Sequence, residues 1–459
     1  MILNAGFLLT LWKLLSMKKI ILFFFLFGFA IPVLSQEGFE FVKTKSDRVR
    51  VAAKTINNLV FIPVEVNGVS LLFLLDSGVE DTIVFGFQDP EKINLQHVEK
   101  IKIRGLGEDD GVDAYKSSGN VLTIGGLQSR NHSLYLITDP SFDLSSFVGI
   151  TVNGIIGYTA FINHLVSIDY GNKQVVFYKH NSNFHKKIQK EYTKVPLLVE
   201  RQKPYVNALV KVDTVEVLAK LLVDTGNSDA VWLFDRLSDK INVPKKHFDD
   251  YLGQGLSGAV EGKRGRIAEF SIADFKFDSP IVAFPDSASI KNISLNTNRL
   301  GSLGGEILKR FSVVFDYDGQ QLFLKKNKSY KASFYYNKSG IEIWRSGVQW
   351  VKQLVVIQDN SIVIDRGKDN PEKNGANFSY KMELKPVYEI GYIRESSNAA
   401  KSGLKTGDIL VAIDGKEVYN YSLQDINSLL WSEDEIWIEL RILREGNLMN
   451  FKFQLVNIL

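Results

Sequence analysis

The chain has 459 residues, 45% apolar and 23% charged, with 35 Gly and 11 Pro. It is too long for one ordinary domain and too apolar for a disordered chain, so two or three packed domains are expected. Its 55 basic and 52 acidic residues leave +3, but Lys13, Lys18 and Lys19 fall in the first 35 residues, which hold no acid, so the remainder balances at 52 against 52. That neutral body argues against nucleic acid as the main partner, and the absence of cysteine excludes disulfides, thiolate zinc sites and a cysteine nucleophile.

In chain order, Met17-Lys18-Lys19 is a basic start, Ile20 to Leu34 is an uncharged run, and Val33-Leu34-Ser35-Gln36 offers compact residues at a cleavage point. This is the build of a secretory signal. An uncleaved anchor is the weaker reading, because the run is 15 residues long and a spanning helix needs about 20. Residues 1–16 are therefore expected to be an over-long start and 17–35 a removed signal peptide. The chain is then exported, to a bacterial periplasm or the cell exterior, with no integral span after cleavage.

The body repeats itself. Val60 to Val66 reads as a strand, Asn67-Gly68 as a hairpin turn and Ser70 to Leu75 as the return strand, which ends in Asp76-Ser77-Gly78. Val206 to Val212 and Val217 to Val223 form the same unit, ending in Asp224-Thr225-Gly226 at an offset of 224 − 76 = 148. Gly154-Ile155-Ile156-Gly157 is followed by a short helix, Tyr158 to His164, and by strands Val166 to Asp169 and Gln174 to Tyr178. Its counterpart is Gly301-Ser302-Leu303-Gly304, then Gly305 to Phe311 and strands Ser312 to Asp316 and Gln320 to Lys325, at an offset of 301 − 154 = 147. Between these motifs lie glycine-rich stretches around Gly105 and Gly107 and around Gly253 and Gly255, with 253 − 105 = 148. One Asp-x-Gly is an ordinary turn. Two of them, each after an apolar strand and each followed at one distance by an apolar-Gly segment, mark a duplicated domain.

Asp76 and Asp224 end wholly apolar strands, where a lone ionised carboxylate is expensive. Brought together by a pseudo-twofold, the two can share one proton, because like charges in contact cannot both ionise. Such a pair is base and acid at once: one carboxylate activates a water and the other protonates a carbonyl oxygen. Gly78 and Gly226 let the two turns approach, and the hydroxyls of Ser77 and Thr225 are placed to bond across to the opposite turn.

Leu74-Leu75-Asp76-Ser77-Gly78-Val79-Glu80-Asp81-Thr82 resembles the active-site strand of retropepsins. The paired units resemble the bilobal aspartyl peptidases, pepsin included, over roughly residues 50 to 327. The resemblance implies two β lobes, 45–180 and 190–328, with a cleft between them, Asp76 and Asp224 as the dyad, and a hairpin flap over an extended polypeptide substrate. Ile101 to Ile124 and Gln254 to Phe270 are the two flap candidates, with Gly105, Gly107, Tyr115, Gly253 and Gly255 as candidate substrate contacts. Ser77 in place of Thr, lobes shorter than pepsin's and a polar Ser302 in the second apolar-Gly segment are departures. The six histidines, His97, His132, His164, His180, His185 and His247, show no metal-like spacing and are read as loop or surface residues. No metal and no cofactor is expected.

Residues 329–380 read as a connector, in which Ile341, Ile343, Trp344, Val348 and Trp350 have the spacing of a strand or two packed on a neighbour. Residues 381–459 read as a compact α+β unit. Strand Val387 to Ile393 leads into Ala399-Ala400-Lys401-Ser402-Gly403-Leu404-Lys405-Thr406-Gly407-Asp408-Ile409, then a hairpin at Asp414-Gly415, a helix Ser422 to Leu430 and a closing hairpin. This resembles a PDZ domain of the kind attached to bacterial exported proteases, which implies a peptide or protein ligand. The stretch taken for its carboxylate loop, Leu384-Lys385-Pro386-Val387, has no glycine and one residue without an N–H.

The fold class expected is mostly β: two pseudo-twofold-related acid-protease lobes followed by a smaller PDZ-like domain. The function expected is that of an aspartic endopeptidase whose site is complete before residue 328. The alternative is a catalytically idle peptide-binding scaffold on the same fold.

Overall fold

The computed structural model describes residues 38–43, 45–86, 93–103, 112–139, 142–291, 298–357 and 377–459. The expected signal segment, Gly105 and Gly107 lie outside the described residues. Among the described residues no helix is long and apolar enough to cross a membrane.

Each half is built on the same pairings. Leu59–Val66 and Val69–Leu75 form an antiparallel hairpin whose turn residues Asn67 and Gly68 both have positive φ, 50° and 88°. Asn-Gly is the dipeptide that tolerates this, and the turn matches the strand twist. Gly154–Ile156 then runs parallel beside the second strand, with Phe73, Leu74 and Leu75 opposite Gly154, Ile155 and Ile156. In the second half Lys203–Val212 pairs with Val215–Val223, and Gly301–Leu303 lies parallel to Leu221, Leu222 and Val223. Phe73, Leu75, Leu221 and Val223 are fully enclosed in the main core, and Leu74 and Leu222 on the opposite face are buried as well.

A further sheet joins the halves. It runs Thr193–Pro196, Gln321–Lys326, Phe311–Asp316, Leu165–Asp169, Gln174–Tyr178 and Arg48–Ala52. At its centre Ser167 pairs with Val314, its own counterpart at the offset of 147, so the pseudo-twofold passes between them. The helices expected after the two apolar-Gly segments shorten to a turn of 3-10 helix at Tyr158–Ala160 and a helix at Gly305–Leu308. The following strands start early, at Leu165 and Phe311, to enter this sheet.

The C-terminal unit contains more of the chain than the sequence suggested. The expected connector includes a strand, Ile341–Ile357, paired along its length with Asn377–Ile393. Ile341 and Ile343 belong to the same core as Ile390, Leu410, Ile426 and Leu440. That strand is one edge of a sheet continuing through Ile409–Ile413, Trp437–Arg444 and Asn447–Gln454. The helix Leu423–Leu430 starts at a capping box in which Ser422 and Asp425 satisfy each other's backbone N–H. Arg444 forms a two-point ion pair with the buried Asp408, both contacts at 2.6 Å, fixing the turn before Ile409.

The expectation for the histidines needs correction at two positions. His132 is fully buried, bonded to Thr82 Oγ1 at 2.8 Å and Ser129 Oγ at 2.9 Å, and burial lowers its pKa to about 4. His164 is buried too, with its Nε2 2.7 Å from the Phe39 carbonyl oxygen. Both satisfy polar groups inside the first half, a role that sequence spacing does not reveal.

Candidate active site

The two Asp-Ser/Thr-Gly turns meet at the pseudo-twofold. The Asp76 N–H donates to the Ile156 carbonyl at 2.9 Å and the Asp224 N–H to the Leu303 carbonyl at 2.9 Å, so each turn is hung from its own apolar-Gly segment. The turns then grip one another. The Ser77 N–H donates to Thr225 Oγ1 at 2.9 Å and the Thr225 N–H to Ser77 Oγ at 3.1 Å. The Ser77 hydroxyl donates to the Val223 carbonyl at 2.6 Å and the Thr225 hydroxyl to the Leu75 carbonyl at 2.7 Å. All four bonds are buried, so none can be replaced by water without opening the interface.

The two glycines are dictated by contact. Gly78 N–H donates to Asp76 Oδ1 at 2.7 Å and Gly226 N–H to Asp224 Oδ1 at 3.1 Å. A Cβ on Gly78 would sit 2.9 Å from Asp224 Oδ1, and one on Gly226 would overlap the Asp76 carboxylate. Each glycine therefore lies against the opposite aspartate.

Both carboxyl groups are pushed above the ordinary carboxylate range, chiefly by burial. For Asp76 the neighbouring Asp224 charge adds to the rise. For Asp224 the positive charge of Arg299 opposes it. The hydrogen bond between the two raises Asp76 and lowers Asp224, so the pair titrates as one unit that keeps a proton above the ordinary carboxylate range.

Arg299 is a residue the sequence reading missed. It is buried, its Nε donates to the Gly301 carbonyl at 2.9 Å, its Nη2 donates to Ser302 Oγ, and its guanidinium lies 5.2 Å from the Phe234 ring centroid. The polar Ser302 is thus an acceptor for this arginine. Comparison of the repeats held the signal, since Arg299 corresponds to Val152 (299 − 147).

A cavity of about 730 Å³ lies over the dyad. The second half's hairpin, His247–Gly255 with Gly258–Arg266, covers it and contributes Tyr251, Gly253, Gly255 and Leu256. Its turn falls at Gly255–Gly258, near the start of the expected span and not at its centre, so Gly253 and Gly255 are on its first arm. Arg264 ties this hairpin down, with its Nη1 2.6 Å from Asp229 Oδ1 and its Nε 2.7 Å from Asp250 Oδ2. The first half's hairpin is Glu99–Ile103 with Val112–Ile124, and Ile103 reaches the cavity. Tyr115 does not line it. That side chain packs on the first-half core, and Tyr135 stands at the cavity instead.

The expectation that the site is complete before residue 328 also needs correction. Glu342, Ile343, Trp344, Asn427 and Trp431 of the C-terminal unit line the same cavity.

This geometry defines a two-aspartate site on a duplicated β fold. A family model described as aspartyl protease matches residues 209–307, and one described as PDZ domain matches residues 389–442. The chain therefore carries an aspartyl protease domain and a C-terminal PDZ domain. The first match holds Asp224-Thr225-Gly226 and the segment Arg299 to Gly304, while Asp76 lies in the half before it. Among curated proteins none matches the chain.

Proposed function

We propose that the chain is an exported aspartic endopeptidase that hydrolyses bonds of extended polypeptides. The observation that carries this reading is the pair of buried aspartates, each held at the end of an apolar strand and each packed against the other's glycine. Asp224, whose charge Arg299 favours, takes a proton from a water lying between the carboxyls. Asp76, holding the shared proton, gives it to the scissile carbonyl oxygen. The result is a neutral gem-diol, with the pair still carrying one proton. Return of a proton to the leaving nitrogen and breakage of the C–N bond complete hydrolysis.

The substrate lies under the hairpin His247–Arg266, whose first strand is the end strand of its sheet and can take an extended chain. Export is supported by the signal-like segment in residues 17–35, and the periplasm or the exterior is the proposed location. The test is incubation of residues 36–459 with an unfolded protein between pH 3 and 8, with and without pepstatin. Fragments that vanish with pepstatin and with Asp76→Asn are expected. Binding without cleavage in the unmodified chain would select the idle scaffold instead.

A further inference from the structure

The loop that precedes the edge strand of the PDZ sheet is Asn337-Lys338-Ser339-Gly340, not the Leu384–Val387 stretch, which lies within the long hairpin opposite Gly347 to Trp350. In PDZ domains such a loop offers backbone N–H groups to a terminal carboxylate. Here the loop consumes them itself. Asn337 Oδ1 accepts from the Ser339 N–H at 3.1 Å, the Gly340 N–H at 3.3 Å and the Ser339 hydroxyl at 2.5 Å. The Ile341 N–H donates to Ser339 Oγ at 3.2 Å. Asn337 Nδ2 donates to the Ile341 carbonyl at 2.7 Å and to Glu342 Oε1 at 3.1 Å, and Asn337, Ser339 and Gly340 are all buried. A side-chain amide thus occupies the place of a carboxylate.

The groove between the edge strand and the helix Leu423–Leu430 is divided. Its outer part is covered by the first lobe's helix Leu144–Val148: the Phe147 ring lies 5.0 Å from that of Trp344, and a Cβ on Gly149 would sit 2.7 Å from Leu423 Cβ. Its inner part, with Glu342, Trp344, Asn427 and Trp431, opens into the cavity that holds Asp76 and Asp224.

The domain is also fixed in this position. The Arg394 N–H donates to the Gly340 carbonyl at 2.7 Å, and its guanidinium lies 4.2 Å from the Phe248 ring centroid and 3.8 Å from Asp250 Oδ1 on the covering hairpin. Asp250 in turn holds Arg264, which holds Asp229 beside the Asp224 turn.

We propose that the PDZ domain is a built-in subsite of the catalytic cleft, taking an internal, extended segment of the polypeptide to be cut, with a bulky apolar side chain against Trp344 and Trp431, and that it does not hold a free C-terminus. The cutting step rests on the endopeptidase reading, whereas binding to the subsite is measured separately.

The test uses the full-length chain inactivated by Asp76→Asn and a fluorescein-labelled unfolded casein, with affinity read by anisotropy. Asn427→Trp fills the inner groove from a half-exposed helix position and is expected to weaken binding tenfold or more. Trp431→Ala, which removes one wall, is expected to weaken it in the same direction. Amidating the C-terminus of a labelled peptide cut from the same casein is expected to leave its affinity unchanged. No detectable binding by the parent, unchanged affinity in both variants while they stay folded, or a tenfold loss on amidation would each overturn the proposal. Cleavage by the Asp76-intact chain is scored apart: weakened binding in the variants with no cleavage by the parent would sink the peptidase reading and leave the subsite standing.

Discussion

The two halves of the protease body share a backbone and differ in charge. Each ends an apolar strand in an aspartate, hangs the turn from a parallel apolar-Gly segment at 2.9 Å and packs a glycine on the opposite carboxyl. These are backbone and contact requirements, and duplication satisfies them twice. The charge environment follows side chains that the repeat does not preserve. Arg299 stands where the first half has Val152, and Ser302, which accepts from it, stands where the first half has Ile155. A symmetric scaffold thereby gives the two carboxyls unequal surroundings, and the shared-proton mechanism proposed above puts the charge on Asp224, the one nearer a positive side chain.

The largest effect should come from abolishing the pair. Asp76→Asn and Asp224→Asn each remove one proton carrier at nearly constant volume, and each should lower the cleavage rate by about 10³-fold or more, since acid–base groups of this kind supply factors of about 10²–10⁴ and the two act as a unit. Activity within a few-fold of the parent in either variant would break the comparison at its root.

The grip between the turns comes next. Ser77→Ala and Thr225→Val each strand a buried N–H and a buried carbonyl, so each should cost about 1–3 kcal/mol per group in denaturant unfolding. Near-equal losses would match the near-equal geometry, whereas a loss in one half alone would show that the grip is not reciprocal.

Stability against pH gives a third probe. A carboxyl whose folded pKa is raised contributes stability that is fully present below its unfolded pKa and is lost as pH rises through the folded one. Asp76 is such a group. Relative to the parent, Asp76→Asn should therefore gain stability as pH rises above the ordinary carboxylate range, by at most about 1.4 kcal/mol per pH unit. Thermal unfolding at several pH values reads this directly, and a constant difference would contradict it.

Arg299→Gln sharpens the contrast between halves with the smallest change. Losing the positive charge lets the Asp224 pKa rise, so a higher pH is needed to ionise it. The acid limb of the kcat/KM profile should move up by about one unit, about tenfold in rate on that limb. The alkaline limb, which follows the proton on Asp76, should move less.

What the sequence revealed and what it hid divide along the same line. The strands ending in Asp76 and Asp224, the glycines and the constant offset were legible because each is a local pattern, and the grip by Ser77 and Thr225 follows from two turns meeting. Arg299 was not legible as a neighbour of Asp224, because its position depends on how Asn298 to Gly301 enters the sheet. The start of the PDZ sheet at Ile341 was hidden because its partner strand lies beyond residues 358–376. The loop at Asn337 is not legible because its glycine precedes a strand whose sequence reads as a connector. Tyr115 had a flap-like place in sequence, but its side chain packs on the main core.

The central claim is one proton on two unequal aspartates. It is tested most directly by carboxyl ¹³C NMR of the chain labelled at aspartate, with Asp76→Asn and Asp224→Asn used for assignment. The account predicts a resonance assigned to Asp76 that loses its proton well above the ordinary carboxylate range, while the Asp224 resonance is that of a carboxylate throughout the range in which Asp76 keeps its proton. Two resonances titrating together in the ordinary range, each as an isolated carboxyl, would contradict it.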